Sequence, residues 1–410
     1  MNRIITTLTL FLFISVLVAQ PTFTESAIST SADGAWSVHA VDLDGDGDMD
    51  VLSASGFDDK IAWYENDGSQ SFTEHVISTS VYFTLSVYAA DVDGDGDVDV
   101  LSASREDAKI AWYENDGSES FTEHAISTSA DGAWSVHAAD VDGDGDMDVL
   151  SASNVDDKIA WYENEGSESF TEHAITTSAN GANFVYATDV DGDGDMDILS
   201  THDGGVVWYE NNGQESFTEY IISTDADSPR SVFAADIDGD GDMDVLSASA
   251  NDDKIAWWEN NGSHASESPI FVSHEISTEA DGAGSVHAAD VDGDGDMDVL
   301  SASENDNKIA WYKNDGSESF TEHVISTSAS WASCVYSADV DGDGDMDVLS
   351  ASSNDDKIAW YENDGSENFT EHAISTSADG ARSVHAADVE MACSVKLSLP
   401  SFSYQAILSS

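Results

Sequence analysis

The run "DVDGDGDMDVLSAS" stands at Asp140–Ser153 and recurs letter for letter at Asp290–Ser303. Variants of it begin at Asp42, Asp91, Asp189, Asp236 and Asp339, which makes seven copies. Each packs five aspartates into nine residues. Carboxylates that close repel one another, so an ordered loop of this kind needs a positive charge at its centre. Successive starts are 49, 49, 49, 47, 54 and 49 residues apart. A period of that size fits one four-stranded propeller blade and is too long for a leucine-rich repeat.

The residues around each acidic run read as four short strands. In the third copy these are "SVHAAD" (Ser135–Asp140), "MDVLSAS" (Met147–Ser153), "KIAWYEN" (Lys158–Asn164) and "FTEHAITT" (Phe170–Thr177), separated by turn-rich segments. β-Branched and aromatic residues fill the strands, no sustained 3.6-residue apolar period occurs, and only 4 prolines interrupt the chain. The fold class is all-β. In "KIAWYEN", Ile159 and Trp161 point to one face while Ala160 and Tyr162 point to the other, so both faces are apolar, as in a blade stacked between two neighbours. The Trp that recurs at 63, 112, 161, 208, 257, 311 and 360 is therefore read as inter-blade core rather than as a sugar platform. The repeated histidines (His39, His137, His287 and His385; His75, His124, His173, His323 and His372) are read as structural, since a catalytic base is needed once and not in every blade.

An extra fourth strand, "FTESAIST" (Phe23–Thr30), precedes the seven units, and an extra first strand, "SVHAAD" (Ser383–Asp388), follows them. An eighth blade made from both ends would remove exposed sheet edges; a seven-bladed ring with a spare strand at each end is the alternative. End pairing tips the expectation to eight. The domain reading is a signal peptide at residues 1–20, a β-propeller of seven or eight four-stranded blades at 21–390, and a divergent tail at 391–410 that could complete the last blade.

Met-Asn-Arg followed by the apolar run Ile4–Ala19 has the form of a secretory signal cleaved near Ala19 or Gln20, and the run is short for a membrane span of about 20 residues. The expected location is extracellular, with no membrane insertion. Asp and Glu number 82 against 12 Lys and Arg, a formal net charge of -70, which excludes nucleic acid as a natural partner. A hydrophobic fraction of 40%, with 11 Trp, 12 Tyr and 15 Phe, supplies a core that a disordered acidic chain lacks. Cys334 and Cys393 sit in non-equivalent contexts and form no disulfide framework, so the exported fold must draw its stability from elsewhere.

The acidic loop supplies a cation site. Aspartates at positions 1, 3 and 5 turn inward, Gly at 6 permits the sharp turn, position 7 offers its carbonyl, and Asp at 9 closes the shell; the spare Asp at 7 is expected to face solvent. The quartets are Asp42, Asp44, Asp46 and Asp50; Asp91, Asp93, Asp95 and Asp99; and Asp140, Asp142, Asp144 and Asp148. They continue with Asp189, Asp191, Asp193 and Asp197; and Asp236, Asp238, Asp240 and Asp244. The last two are Asp290, Asp292, Asp294 and Asp298; and Asp339, Asp341, Asp343 and Asp347. Oxygen ligands in irregular loop geometry suit Ca²⁺, whereas Mg²⁺ prefers near-ideal octahedra and zinc wants Cys or His. About seven calcium ions are expected. An EF-hand would place a ligand at position 12, but Ser53 and Ser102 stand there inside strands.

With a strand-flanked D-x-D-G-D-G-x-x-D motif and a blade-sized period, the chain resembles the FG-GAP/VCBS repeat proteins, whose propellers include the head of integrin alpha chains. The resemblance covers nearly everything after residue 20. No Phe-Gly precedes the first strand of a unit and no Gly-Ala-Pro follows the second, where "LSAS" stands. That departure touches integrin-like partner specificity and leaves the calcium loop intact. In that family the loop joins the first two strands on the lower face, and the resemblance carries calcium ligation to positions 1, 3, 5 and 9 of all seven loops.

The copies differ in the loops of the opposite face. "GFDD", "REDA", "NVDD", "HDGG", "ANDD", "ENDN" and "SNDD" join the second and third strands, and the residues before the first strand include Trp36, Trp134, Arg230 and Arg382. Those four are candidate contacts for an extracellular protein or glycan ligand, because propellers bind through loops on a rigid scaffold. The function expected is a secreted recognition or adhesion scaffold. An enzyme or accessory module acting on extracellular polysaccharide is the alternative, although no unrepeated acid/base pair is found beyond the oddity of His202 and Asp203. A passive calcium-rich matrix component would need no variable face. Asn261 and Asn368 fit the glycosylation sequon.

Overall fold

The computed structural model describes residues 32–47, 50–67, 72–118, 120–166, 169–214, 216–262, 271–340, 343–355, 357–366, 368–375 and 380–384. Over these residues the chain is all-β: 28 strands form seven four-stranded sheets, each an antiparallel meander of four consecutive strands. The third blade is typical, with strands Ala133–Ala139, Asp148–Ser153, Lys158–Asn164 and Phe170–Thr176. Leu150 lies opposite His137 on one side and Trp161 on the other. The first strand of one blade lies against the first strand of the next, so first strands surround the axis and the half-exposed fourth strands form the rim. The architecture is a β-propeller of seven four-stranded blades. Of the strands proposed for an eighth, Phe23–Thr30 and the tail after Asp388 lie outside the described residues, as does Ser383–Asp388 beyond Val384. Of the closing segment, Ala381 and Val384 pack on Leu349, Ala351 and Trp360 of the seventh blade.

Period-two alternation decides what each blade gives its neighbours. Leu150, Ile159 and Trp161 of the third blade pack on Val185, Ile198 and Tyr209 of the fourth. From the opposite face, Ala160 and Tyr162 pack on Leu101, Ile110 and Trp112 of the second. All seven recurring Trp side chains are fully buried, so they are inter-blade core as the sequence implies. The rim histidines are structural too: His173 stacks on Trp161 at 4.6 Å while its Nε2 meets Glu163 Oε2 at 2.7 Å. The second series belongs to a stack of rings around the axis. His39, Tyr88, His137, Tyr186, Phe233, His287 and Tyr336 follow one another at centroid spacings of 5.0, 4.6, 5.4, 6.0, 4.9 and 4.6 Å. Any flat ring fits there, which is why the repeat tolerates His, Tyr and Phe at one position.

Lysines clasp the blades. Lys158 Nζ donates to Glu172 Oε1 at 2.8 Å and to the Ser129 carbonyl of the preceding blade at 3.4 Å. Lys60, Lys109, Lys308 and Lys357 pair with Glu74, Glu123, Glu322 and Glu371 in the same way, at 2.8 to 2.9 Å. Among the described residues no helix is long and apolar enough to cross a membrane; the expected signal peptide at 1–20 lies outside them.

Two predictions follow from the packing. Trp161→Ala opens a large hole between the third and fourth blades and should cost about 3–5 kcal/mol in urea unfolding; a loss under about 1 kcal/mol would contradict the inter-blade role. Burial holds the His137 imidazole down to about 4 from 6.5. The folded state thus binds fewer protons than the unfolded chain in that window, and the stability tied to this residue is full above it and lost as pH falls through it. His137→Tyr, the residue found at this place in the second and fourth blades, should match wild type at pH 7.5 and exceed it at pH 5 by about 1–2 kcal/mol. Equal acid sensitivity of the two proteins would count against this assignment.

Candidate metal centres

Each acidic loop joins the first and second strands of a blade, so all seven share one face. The third loop, Asp140–Asp148, is described throughout. Its buried end is Asp148, which is fully inaccessible. Asp148 Oδ2 accepts the Val141 amide at 2.9 Å and Oδ1 accepts the Asn164 amide at 2.8 Å, tying the loop to the end of the third strand. Asp140 takes the amides of Gly143 at 2.8 Å and Gly145 at 3.1 Å, and Asp142 takes that of Asp144 at 3.0 Å. Gly143 at φ +77° and Gly145 at φ +100° make this curl possible, in a region that L side chains avoid.

The curl brings positions 1, 3 and 9 together. One oxygen from each of Asp140, Asp142 and Asp148 lies within 4.8 Å of the other two. The same triple is formed by Asp42, Asp44 and Asp50, by Asp91, Asp93 and Asp99, and by Asp189, Asp191 and Asp197. Position 5 stands apart from this triple: Asp46, Asp95, Asp144 and Asp193 are exposed, and Asp144 Oδ1 accepts the Asp146 amide at 2.9 Å. Position 7 differs from expectation. Asp97 and Asp146 are half-buried against the turn between the third and fourth strands, where a Cβ on Gly166 would stand 2.6 Å from Asp146 Oδ2. This is why that turn carries a glycine. In the fifth and seventh loops, Asp244 and Asp347 repeat the double anchor of Asp148. Asp341 lies outside the described residues, together with position 7 of the first loop.

Burial is the main force on these carboxylates. It raises Asp148 to about 6 against the pull of the Asn164 and Val141 amides, and raises Asp197 and Asp244 to about 7. Asp44, Asp93 and Asp142 are raised as well, by burial first and then by the neighbouring aspartates and by Glu65, Glu114 and Glu163. Asp42 Oδ1, Asp91 Oδ1 and Asp290 Oδ1 are buried without a hydrogen-bond partner. A buried carboxylate oxygen with no donor, facing further carboxylates, is the environment a hard cation satisfies, and an all-oxygen donor set suits Ca²⁺. The quartets therefore fit calcium in chemistry, with positions 1, 3 and 9 as the gathered core.

Sequence reasoning missed the asparagine that closes "KIAWYEN". Asn164 Nδ2 donates to the Met147 carbonyl at 3.1 Å and to the Val92 carbonyl of the preceding acidic loop at 2.7 Å. Asn115, Asn211, Asn260, Asn314 and Asn363 do the same between their own blades and the loops before them. The signal was present, since this Asn stands in all seven copies of the third strand.

The four ligand candidates lie on the opposite face, around the mouth of the axis. Trp36 of the first blade meets Trp134 of the third edge-on at 6.2 Å, and the Arg382 guanidinium lies 4.0 Å over the Trp36 ring. Arg230 Nη1 bonds Glu304 Oε1 at 2.7 Å, and the charges of Glu304 and Arg230 both reach Arg382. Three further residues join the group: Arg105 at 5.6 Å over Trp134, Phe83 at 5.7 Å from Trp36, and Phe57 at 5.8 Å from Phe83. His202 and Asp203 have a local explanation. His202 Nδ1 accepts the Gly204 amide at 2.9 Å and Asp203 accepts Asn180 Nδ2 at 2.8 Å, which ties down a shortened turn.

A seven-bladed propeller with one acidic loop per blade defines the class of this protein. A family model described as "FG-GAP-like repeat" matches residues 13–53, 42–102, 91–151, 140–200, 189–247, 237–301, 290–350 and 339–390, and the chain belongs to that family. No curated protein matches it. Among solved structures, a protein from Lactobacillus plantarum is similar at 13% identity and TM-score 0.56, over 78% of this chain and 93% of that one. A putative 6-phosphogluconolactonase from Bacteroides fragilis is similar at 13% identity and TM-score 0.56, over 82% and 97%. A lectin from Agrocybe aegerita, described as recognising non-reducing terminal N-acetylglucosamine, matches at 17% identity and TM-score 0.45, over 84% and 81%, too slight a likeness to carry an argument. These neighbours share the fold, and no catalytic family is indicated.

Because Asp148 satisfies two buried amides, Asp148→Asn should cost about 1–3 kcal/mol in chemical unfolding even in chelator. Asp144→Asn, on the exposed arm of the same loop, should cost under about 0.5 kcal/mol there. Equal losses for the two variants would contradict the anchoring role.

Proposed function

We propose that this protein is a secreted, calcium-stiffened propeller that recognises an extracellular protein or glycan through the mouth of its axis. The observation that carries the reading is the placement of the unrepeated residues. The described chain contains three arginines, Arg105, Arg230 and Arg382, and all three belong to the mouth cluster with Trp36 and Trp134. Phe57, Tyr82, Val155 and Trp331 are also exposed in loops on this face, at 64%, 63%, 55% and 37%. Aromatic rings and arginines are the side chains that dominate recognition surfaces, and loops on a rigid frame are where such surfaces form.

Charge gives the mouth a character unlike the rest of the molecule. Arg230 and Arg382 share the single carboxylate of Glu304, which leaves a net positive site on a chain of net charge -70. A ligand with an acidic group beside a flat apolar face suits it, and a sugar or aromatic ring on the indole is the natural partner of that apolar face. The calcium loops hold the opposite face and keep the blades in register, so the recognition loops sit on a fixed frame.

Wild type and the variants Trp36→Ala and Arg382→Ala should be applied to arrays of glycans and extracellular proteins in millimolar calcium. Saturable binding by wild type, weakened about tenfold or more by either substitution at unchanged circular dichroism, is the expected result. Binding to the same targets with undiminished strength by both variants would move recognition away from the mouth.

A further inference from the structure

The third strand reads "WYEN" or its variant "WWEN" in six blades and "WYKN" in the sixth, where Lys313 stands in place of a glutamate. In the first five blades that glutamate faces the acidic loop. Glu65, Glu114, Glu163, Glu210 and Glu259 lie close enough to Asp44, Asp93, Asp142, Asp191 and Asp238 to repel them. Most are held there from the rim: His75, His124, His173, His274 and His372 each place Nε2 2.7 to 2.9 Å from a glutamate oxygen of their own blade. Those loops therefore carry one more negative side chain than the D-x-D-G-D-G-x-x-D motif supplies.

The sixth blade reverses this sign. The Lys313 ammonium forms an ion pair with Asp292 Oδ2, and Asp294 Oδ2 is 4.0 Å away. Asp292 is position 3 of its loop, the residue whose counterparts gather with positions 1 and 9 in the first four blades. The side chains of Lys313 and Asp292 are 27% and 10% exposed, so solvent screens the contact only in part. His323 of the same blade still lies over its Trp, 4.7 Å from Trp311. The ring contact of the rim is kept, while the exchange removes the glutamate that the histidine holds in other blades.

We infer that the sixth loop, Asp290–Asp298, is closed by the Lys313 ammonium and holds no calcium, so that the protein takes six ions where its sequence writes seven motifs. The inference rests on the calcium reading of the other loops. A divalent cation in the sixth loop would have to displace the ammonium from Asp292 or sit within a few ångströms of it. A glutamate-to-lysine exchange changes the local charge by two units, enough at this separation to weaken calcium by about a hundredfold or more. The loop gains something in return: an internal cation keeps it folded when calcium is scarce. The sixth blade then becomes the part of the ring whose order does not depend on the metal.

The test counts ions bound to the purified full chain after dialysis against micromolar calcium, by elemental analysis, for wild type, Lys313→Glu and Lys313→Glu combined with Asp290→Asn. The inference expects six in wild type, seven in Lys313→Glu and six again in the double variant. Seven in wild type, or no gain in Lys313→Glu, overturns it while leaving the calcium reading in place. No ions in any of the three proteins overturns both. As a second readout, circular dichroism of Lys313→Glu should match wild type in calcium and lose more signal than wild type in chelator; the same response in both proteins would also count against the ammonium as the cation of this loop.

Discussion

The structure turns on carboxylates that are placed close enough together to repel one another. Asp148 and its counterparts are buried at the base of every blade, each with its two oxygens committed to amides of the loop and of the third strand. These bonds fix the loop's shape. They do not neutralise it, because amides carry no net charge and burial itself raises the carboxylates toward 6 or 7. The bonds also pass between blades. Asn164 reaches across to the Val92 carbonyl of the preceding loop, so the condition of one loop is felt in the next. A cation held at positions 1, 3 and 9 would therefore act on the ring as well as on a single turn.

Among the described residues the cations are otherwise spoken for. Of the 12 Lys and Arg, Arg3 and Lys396 lie outside the described residues. Lys60, Lys109, Lys158, Lys308 and Lys357 clasp the third strand to the fourth, and Lys254 meets Asp252 at 3.2 Å. The described arginines gather at the axial mouth, and among the described residues Lys313 alone is seen to pair with an acidic loop. The repeat thus separates two kinds of residue. Those that recur in every blade build the frame, and those that break the repeat mark places where one blade differs in chemistry from its neighbours.

Much of this could be read from the residues. The 49-residue period and the two apolar faces of "KIAWYEN" imply blades stacked around an axis, and Trp161 packs between blades for that reason. That positions 1, 3 and 9 of the loop draw together was legible because their spacing is local. Positions 5 and 7 were harder: Asp144 is exposed and caps its own curl, while Asp146 folds against the glycine of a turn about 20 residues further on. The asparagine bridges and the Trp36–Trp134 contact join residues many positions apart, and no local pattern specifies which side chains a closed ring brings together. The substitution at Lys313 was visible in the sequence, but its meaning required the direction in which the side chain points.

The most direct measurement is scanning calorimetry of the full chain in millimolar calcium and in excess chelator at the same ionic strength. Ions that bind only the folded state raise its stability by mass action, and several such sites acting on one ring should raise the melting temperature by about 10 °C or more. A shift of that size is expected if calcium compensates the aspartates. Identical melting in calcium and chelator would mean that the aspartates tolerate one another without a metal, and would contradict it.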